Sequence, residues 1–309
     1  MNKLEILGHG TSLGQRMIRF GEQRRFWLGE GQDHKNLTID AITIALNRAG
    51  LSLDEIDLIV FASAVGYQPI PSTSSLISEM LGSSKPIPCM DINTSCTSFI
   101  TALDTISYLI EAGRYAKVLI VSAEVPSQGL NKDQKESYEL FSDAAAAFII
   151  SKTDKNKGVM FAKENTWGEG AHHTEIRGGL SNLQGQHFDP SRLQDYLFDM
   201  KGREALRFTI SKVSLFCKDY VAEGGIPLES FDKVIPHQAS KALSFIMKRL
   251  NIPQDKYIDN VADYGNMVAV SVPYMLSQAL DNSLVKEGDC ILLLGTAAGL
   301  TINGLSLLL

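Results

Sequence analysis

The chain has little cysteine. Four residues (Cys89, Cys96, Cys217 and Cys290) are scattered through 309 positions, none in a C-x-x-C pair, which excludes a disulfide-built scaffold and fits a reducing compartment. Long hydrophobic runs are also missing. No stretch reaches roughly 18 apolar residues, so no transmembrane helix is expected. The first residues, Met1 to Gly8, lack the apolar segment of a secretory signal. Basic charge is in deficit: a net charge of -6 and a pI near 5.6 argue against broad nucleic-acid or anionic-membrane binding. With 44% hydrophobic and 21% charged residues, neither a disordered nor a fibrous class fits. The expectation is a cytoplasmic protein of one large or two closely packed domains.

Buried-strand runs alternate with helical periodicity. Asp57–Ala64, Lys117–Ala123, Ala144–Ser151, Lys233–Pro236 and Cys290–Leu294 read as strands, and Thr38–Ala49, Ser98–Ala112 and Phe208–Glu223 as helices. This is α/β grammar, with sheets covered on both faces. The segment Gly50–Val60 resembles Gly225–Ile235 at an offset of 175 residues, each following an amphipathic helix. The reading is a duplicated α/β unit, residues 1–170 and 171–309. Asp154–Pro190, rich in glycine, histidine and charge, reads as a connecting surface region.

Within Asp91–Ile100 an apolar segment turns through small polar residues directly into a helix, which places Cys96 at the helix start. There, unpaired N–H groups and the helix dipole favour a thiolate over a free thiol of pKa roughly 8.5. A buried, inert cysteine is the alternative. His237 follows a buried strand at its C-terminal end, the edge where α/β sites assemble. The other histidines lie in polar surroundings. His172 and His173 are adjacent on a loop without a ligand pattern, so no metal is expected. Asn266, in a Gly-Asn turn, either caps that turn or presents an amide N–H to a substrate carbonyl. The loop Leu294–Gly299 suits close backbone approach and a fixed N–H donor. Gly8–Gly14 lacks the G-x-G-x-x-G spacing of a nucleotide loop.

Together, the segments around Cys96 (DINTSCTSF), Phe141–Ala147, Pro236–Ala239, Gly265-Asn266 with Ser271–Pro273, and Gly295–Gly304 resemble β-ketoacyl-acyl-carrier-protein synthase III. The likeness runs from about Thr38 to the C-terminus. It implies a thiolase-like five-layered αβαβα fold built from two duplicated halves. It also implies an acyltransferase in which Cys96 carries an acyl group for decarboxylative Claisen condensation with a malonyl thioester. By the same resemblance His237 and Asn266 hold the malonyl thioester carbonyl, and the backbone N–H groups of Cys96 and Ala298 form an oxyanion hole. Ile70 matches the loop that reaches a partner's acyl pocket in a homodimer. Acyl-coenzyme A or acyl-carrier-protein thioesters are the implied substrates, with no cofactor.

The chain departs from the family pattern in its short Gly14–Gly31 region and in Ser142–Ala146 where Gly-Asp-Gly-Ala-Gly is usual. Two further departures are Ala297-Ala298-Gly299 for Gly-Gly-Gly and Ala242 for a docking arginine. These fall on donor recognition, so the expectation is a specialised, fatty-acid-like or polyketide-type pathway. Lys241, Lys248 and Arg249 are candidates for carrier-protein docking. Acyl transfer to an oxygen or nitrogen acceptor, and a non-catalytic partner subunit, are the alternative functions.

Overall fold

The computed structural model describes Met1–Leu309. Its first series of elements is β1 (Asn2–Leu13), the hairpin β2 (Arg16–Phe20) and β3 (Gln23–Trp27), α1 (His34–Ala49) and β4 (Leu58–Ala62). It continues with α2 (Thr73–Leu81), β5 (Cys89–Ile92), α3 (Ser98–Glu111), β6 (Lys117–Glu124), the single turn α4 (Lys135–Tyr138) and β7 (Ala144–Lys152). The second series is β8 (Gly158–Thr166), the two-residue pair β9 (Thr174–Glu175) and β10 (Asp199–Met200), α5 (Gly202–Ala222), β11 (Lys233–Pro236) and α6 (Leu243–Arg249). It ends with α7 (Val261–Tyr264), α8 (Ser271–Asp281), β12 (Cys290–Ala297) and β13 (Thr301–Leu308).

The strands pair in the order β5-β4-β6-β7-β1 and then β8-β13-β12-β11. Only Asn2 and Lys3 of β1 join the two groups, opposite Val159 and Gly158. In each group the inner pairs are parallel (β4 with β5 and β6, β11 with β12) and the returning strands antiparallel. Where the first group has β5, the second has a single parallel bridge, Val234 to Tyr257.

Three apolar clusters separate five layers. Leu37, Ala41 and Ile42 of α1 and Ile77 of α2 cover one face of the first sheet. Phe99, Leu103 and Ile106 of α3 and Val272, Met275 and Ala279 of α8 fill the space between the sheets. Val213, Phe216 and Tyr220 of α5 and Leu243 and Met247 of α6 cover the outer face of the second. The alternation within β4 shows why its whole run is apolar. Leu58 and Val60 face the central layer, Ile59 and Phe61 the outer one.

The internal repeat is structural. The 3-10 turn Leu53–Glu55 recurs at Leu228–Ser230, and β4 and β11 follow at the same offset. The acidic residue before each strand does the same work. Asp57 Oδ2 accepts the N–H of Lys117 at 2.9 Å, and Asp232 Oδ2 accepts that of Cys290 at 2.8 Å. Each carboxylate thereby secures the first residue of the neighbouring strand.

One expectation is corrected. Asp154–Pro190 is not all connection, because it contains β8, paired along its length with β13. Only its first two residues are buried and its last four, Lys163–Thr166, are polar, so composition conceals a strand that a fully buried sequence would announce.

Candidate active site

Cys96 sits in a one-turn 3-10 helix, Ser95–Thr97, that runs directly into α3. The preceding residue, Ser95, has φ 56°, a conformation that L-residues other than Asn and Asp rarely adopt. Its N–H donates to Asn93 Oδ1 at 2.9 Å, and Asn93 Nδ2 donates to the Ala64 carbonyl at 2.8 Å. Ser98 Oγ accepts the Thr94 N–H at 3.0 Å and donates to the Ser95 carbonyl at 2.6 Å. The turn is therefore fastened on both sides of the thiol. Opposite it runs β12, where a Cβ on Gly295 would stand 2.5 Å from Thr97 Cγ2; only glycine permits this approach.

That approach delivers the loop after β12 to the sulfur. The backbone N–H groups of Ala298 and of Cys96 itself lie close enough to the Cys96 sulfur to favour its thiolate, as does the Ser95 hydroxyl. Two fixed neutral donors thus converge where negative charge would develop. The thiol itself is not activated at rest. Burial first, and the Glu124 carboxyl second, push its pKa up to about 12. This reverses the expectation of a stabilised thiolate, because desolvation exceeds the effect of the helix start and the two N–H groups.

Glu124, absent from the sequence reading, ends the buried strand β6 and is 3% exposed. Burial raises its pKa to about 8, against backbone hydrogen bonds from Ala64, Val65 and Ala269; the Ala64 N–H lies at 2.5 Å. Its signal was a lone carboxylate closing an otherwise apolar and small-residue strand.

His237 follows β11, and its N–H donates to the Leu294 carbonyl at 2.8 Å. Burial pushes the imidazole down to about 4, so it is neutral at physiological pH, and its Nδ1 has no partner within the protein. Gln238 anchors the turn: Nε2 donates to the carbonyls of Pro236 (2.9 Å) and Ile258 (3.0 Å), and Oε1 accepts the Asn260 N–H at 2.8 Å.

Asn266 is 6% exposed. Its Oδ1 accepts the Val268 N–H at 2.7 Å, which fixes the amide orientation, and Nδ2 donates to the Ala239 carbonyl at 3.2 Å. One amide hydrogen is left for a ligand. Since Ala239 follows His237 and Gln238, the two turns are linked. The 3-10 turn Val268–Val270 beyond Asn266 packs against the Cys96 turn.

The remaining candidates lie elsewhere. Ile70 is 82% exposed on a loop with exposed Val65 and Tyr67. Lys241, Lys248 and Arg249 are exposed, the latter two on α6. His172 bonds Glu175, and His173 stacks edge-on to Phe208.

Comparison with known proteins matches this architecture. The family model described as 3-oxoacyl-[acyl-carrier-protein] synthase III matches residues 90–168, and the model of its C-terminal part matches 221–308. The β-ketoacyl-[acyl-carrier-protein] synthase III of Clostridium perfringens is 32% identical over 284 residues, 92% of this chain and 86% of the relative. That of Halalkalibacterium halodurans is 28% identical across 99% of both chains. Among solved structures, the Aquifex aeolicus 3-oxoacyl-[acyl-carrier-protein] synthase III superposes with a TM-score of 0.86 at 26% identity, covering 99% of this chain and 100% of its own. The priming β-ketosynthase of the R1128 polyketide pathway shares the fold, with a TM-score of 0.88 at 21% identity over 99% and 96%. The thiolase-type fold and this kinship assign the chain to the 3-oxoacyl-[acyl-carrier-protein] synthase III family of acyl-transferring condensing enzymes.

Proposed function

We propose that Cys96 is the acylated nucleophile of a two-step condensation. In the first step sulfur attacks the carbonyl of an acyl thioester, the bond to the donor thiol breaks, and the Cys96 proton leaves with that thiol. The exchange of one thiol for another needs no resting thiolate. The N–H groups of Cys96 and Ala298 hold the tetrahedral oxyanion, a contribution worth roughly 10²–10³ in rate per donor. In the second step the neutral His237 and the free amide hydrogen of Asn266 hold the malonyl thioester carbonyl. The bond to the carboxylate breaks, carbon dioxide leaves, and the enolate carbon attacks acyl-Cys96 and expels its sulfur, which takes a proton from solvent to restore the thiol. A neutral imidazole suits this role, since it donates one hydrogen bond without a competing charge.

The observation that carries the reading is the half-buried Cys96 thiol, with the N–H groups of Cys96 and Ala298 beside it and the turn that follows Asn266 packed against its own. Intact-protein mass spectrometry after exposure to acyl thioesters tests it. An acyl adduct on the wild type, absent in Cys96→Ser, with carbon dioxide and a β-keto product on adding malonyl-carrier protein, is the expected result. No adduct, or an adduct without carbon dioxide release, sinks it.

Several finer readings accompany this one. The donors are acyl-coenzyme A or carrier-protein thioesters, with no further cofactor, in fatty-acid-like or polyketide-type synthesis. A carrier protein docks on Lys241, Lys248 and Arg249. The cavity beside His237 measures about 30 Å³, room for one water. The exposure of Ile70, with Val65 and Tyr67 beside it, supports a homodimer in which this loop reaches the partner's acyl pocket. Residues 1–170 and 171–309 are the proposed halves, with β8 (Gly158–Thr166) the segment of the first that pairs into the sheet of the second. No helix is long and apolar enough to cross a membrane; a cytoplasmic setting accords with four free cysteines.

A further inference from the structure

Arg25 is the largest side chain in the protein with no exposed surface. It projects from β3, and its guanidinium is held by oxygens of the chain and not by a carboxylate. Nε donates to the Glu139 carbonyl at 2.8 Å. Nη1 donates to the carbonyls of Arg24 (2.6 Å), Val261 (3.2 Å) and Ala262 (3.2 Å). Nη2 donates to Gln23 Oε1 at 2.6 Å. A buried cation with no carboxylate in direct contact is costly, and only the nearby Glu139 charge offsets its desolvation. Its forked donors, however, bind several carbonyls at once, which an ammonium cannot do.

Three of those carbonyls, from Glu139, Val261 and Ala262, belong to the two segments that hold Asn266. Glu139 precedes Leu140, whose carbonyl accepts the Asn266 N–H at 2.9 Å, and Ser142 returns an N–H to the Asn266 carbonyl at 3.0 Å. Val261 and Ala262 open α7, which ends at Gly265. Gly265 has φ +68°, and a Cβ there would stand 2.6 Å from both Cδ and Nε of Arg25. The guanidinium therefore lies across the residue before Asn266. The Cys96 turn is fastened by other groups, namely Asn93, Ser98 and Ala64.

We infer that Arg25 is a positioning residue for Asn266, clamping the segments at 139–142 and 261–266 to the β2–β3 hairpin. The inference deepens the proposed condensation and rests on it for its catalytic consequence. Loss of the clamp impairs the decarboxylating step and spares loading of Cys96.

The test uses Arg25→Lys and Arg25→Gln, the former keeping the charge where the latter fails to fold. Single-turnover acylation of Cys96, steady-state condensation, and amide hydrogen exchange are measured on each. Acylation is expected within about threefold of wild type and condensation kcat down roughly tenfold or more. Exchange should quicken at 139–142 and 261–268, but not in α5. Equal loss in both half-reactions, or full condensation, overturns the inference. A wild type that makes no β-keto product overturns the functional reading instead. The clamp then stands or falls on exchange alone, and unchanged exchange at both segments overturns it.

Discussion

Asn93 and Asn266 occupy the same position in two copies of one turn. Each Oδ1 accepts the N–H two residues on, Ser95 at 2.9 Å and Val268 at 2.7 Å. Each of those residues is left-handed, with φ 56° and 51°. Each turn then makes a short 3-10 helix and enters a long helix at a serine. Ser98 and Ser271 both accept, at 3.0 Å, the N–H four residues back, from Thr94 and Met267. Cys96 therefore corresponds to Ala269. The two halves of the candidate site are thus built on the same turn, which presents the thiol from one position in the first and the asparagine from another in the second.

Asn93 has a measurable task on this reading. Asn93→Ala removes the acceptor that holds Ser95 in its left-handed conformation, and acylation of Cys96 should slow about tenfold with about 1 kcal/mol of stability lost. Adding Ser95→Gly, which adopts that φ freely, should restore most of the rate. Stopped-flow loading of the single and double variants checks this; no rescue by glycine counts against it.

Glu124 controls Cys96 in a pH-dependent way. Below about pH 8 the carboxyl is protonated and neutral; above it the charge opposes a thiolate. Glu124→Gln should match wild type in iodoacetamide alkylation at pH 7. At pH 9 it should react roughly three- to tenfold faster, since one pKa unit is tenfold in thiolate. A difference that is constant across pH contradicts the assignment.

His237, held near 4 in the fold against an ordinary value of 6.5, links stability to pH. A folded pKa below the unfolded one means that stability is fully present above about pH 6.5 and is lost as pH falls towards 4. The full loss is of order 3 kcal/mol for this group. Urea melts of His237→Asn should therefore show a shallower acid decline than wild type. Parallel declines would remove His237 from the cause.

For carrier recognition, Lys248→Glu with Arg249→Glu should raise KM for carrier-bound donors roughly tenfold and leave coenzyme A donors unchanged. Initial-rate kinetics with both donors decides it. An equal rise for both would place these residues in general substrate binding.

Much of the framework is local and so legible in the sequence. β4, β6, β7 and β11 are apolar because both their faces are covered, and Asp57 and Asp232 sit where a strand edge needs a carboxylate. Cys96, His237 and Asn266 are legible as candidates because a polar or thiol side chain at a small-residue turn, next to a buried run, is a local pattern. β8 escaped because a half-exposed strand has a mixed composition.

Only the tertiary structure decided the electrostatics and the couplings. The sequence places Cys96 at a helix start and so points to a lowered pKa. Folding brings Glu124 and a desolvating shell around the thiol, and the sign reverses. Arg25 looks like one of several surface arginines until β3 carries it beneath Gly265, among carbonyls from residues more than a hundred positions away. Hydrophobic period and turn chemistry act over a few residues. The charge state of a buried group depends on everything packed around it, and only the folded chain determines that.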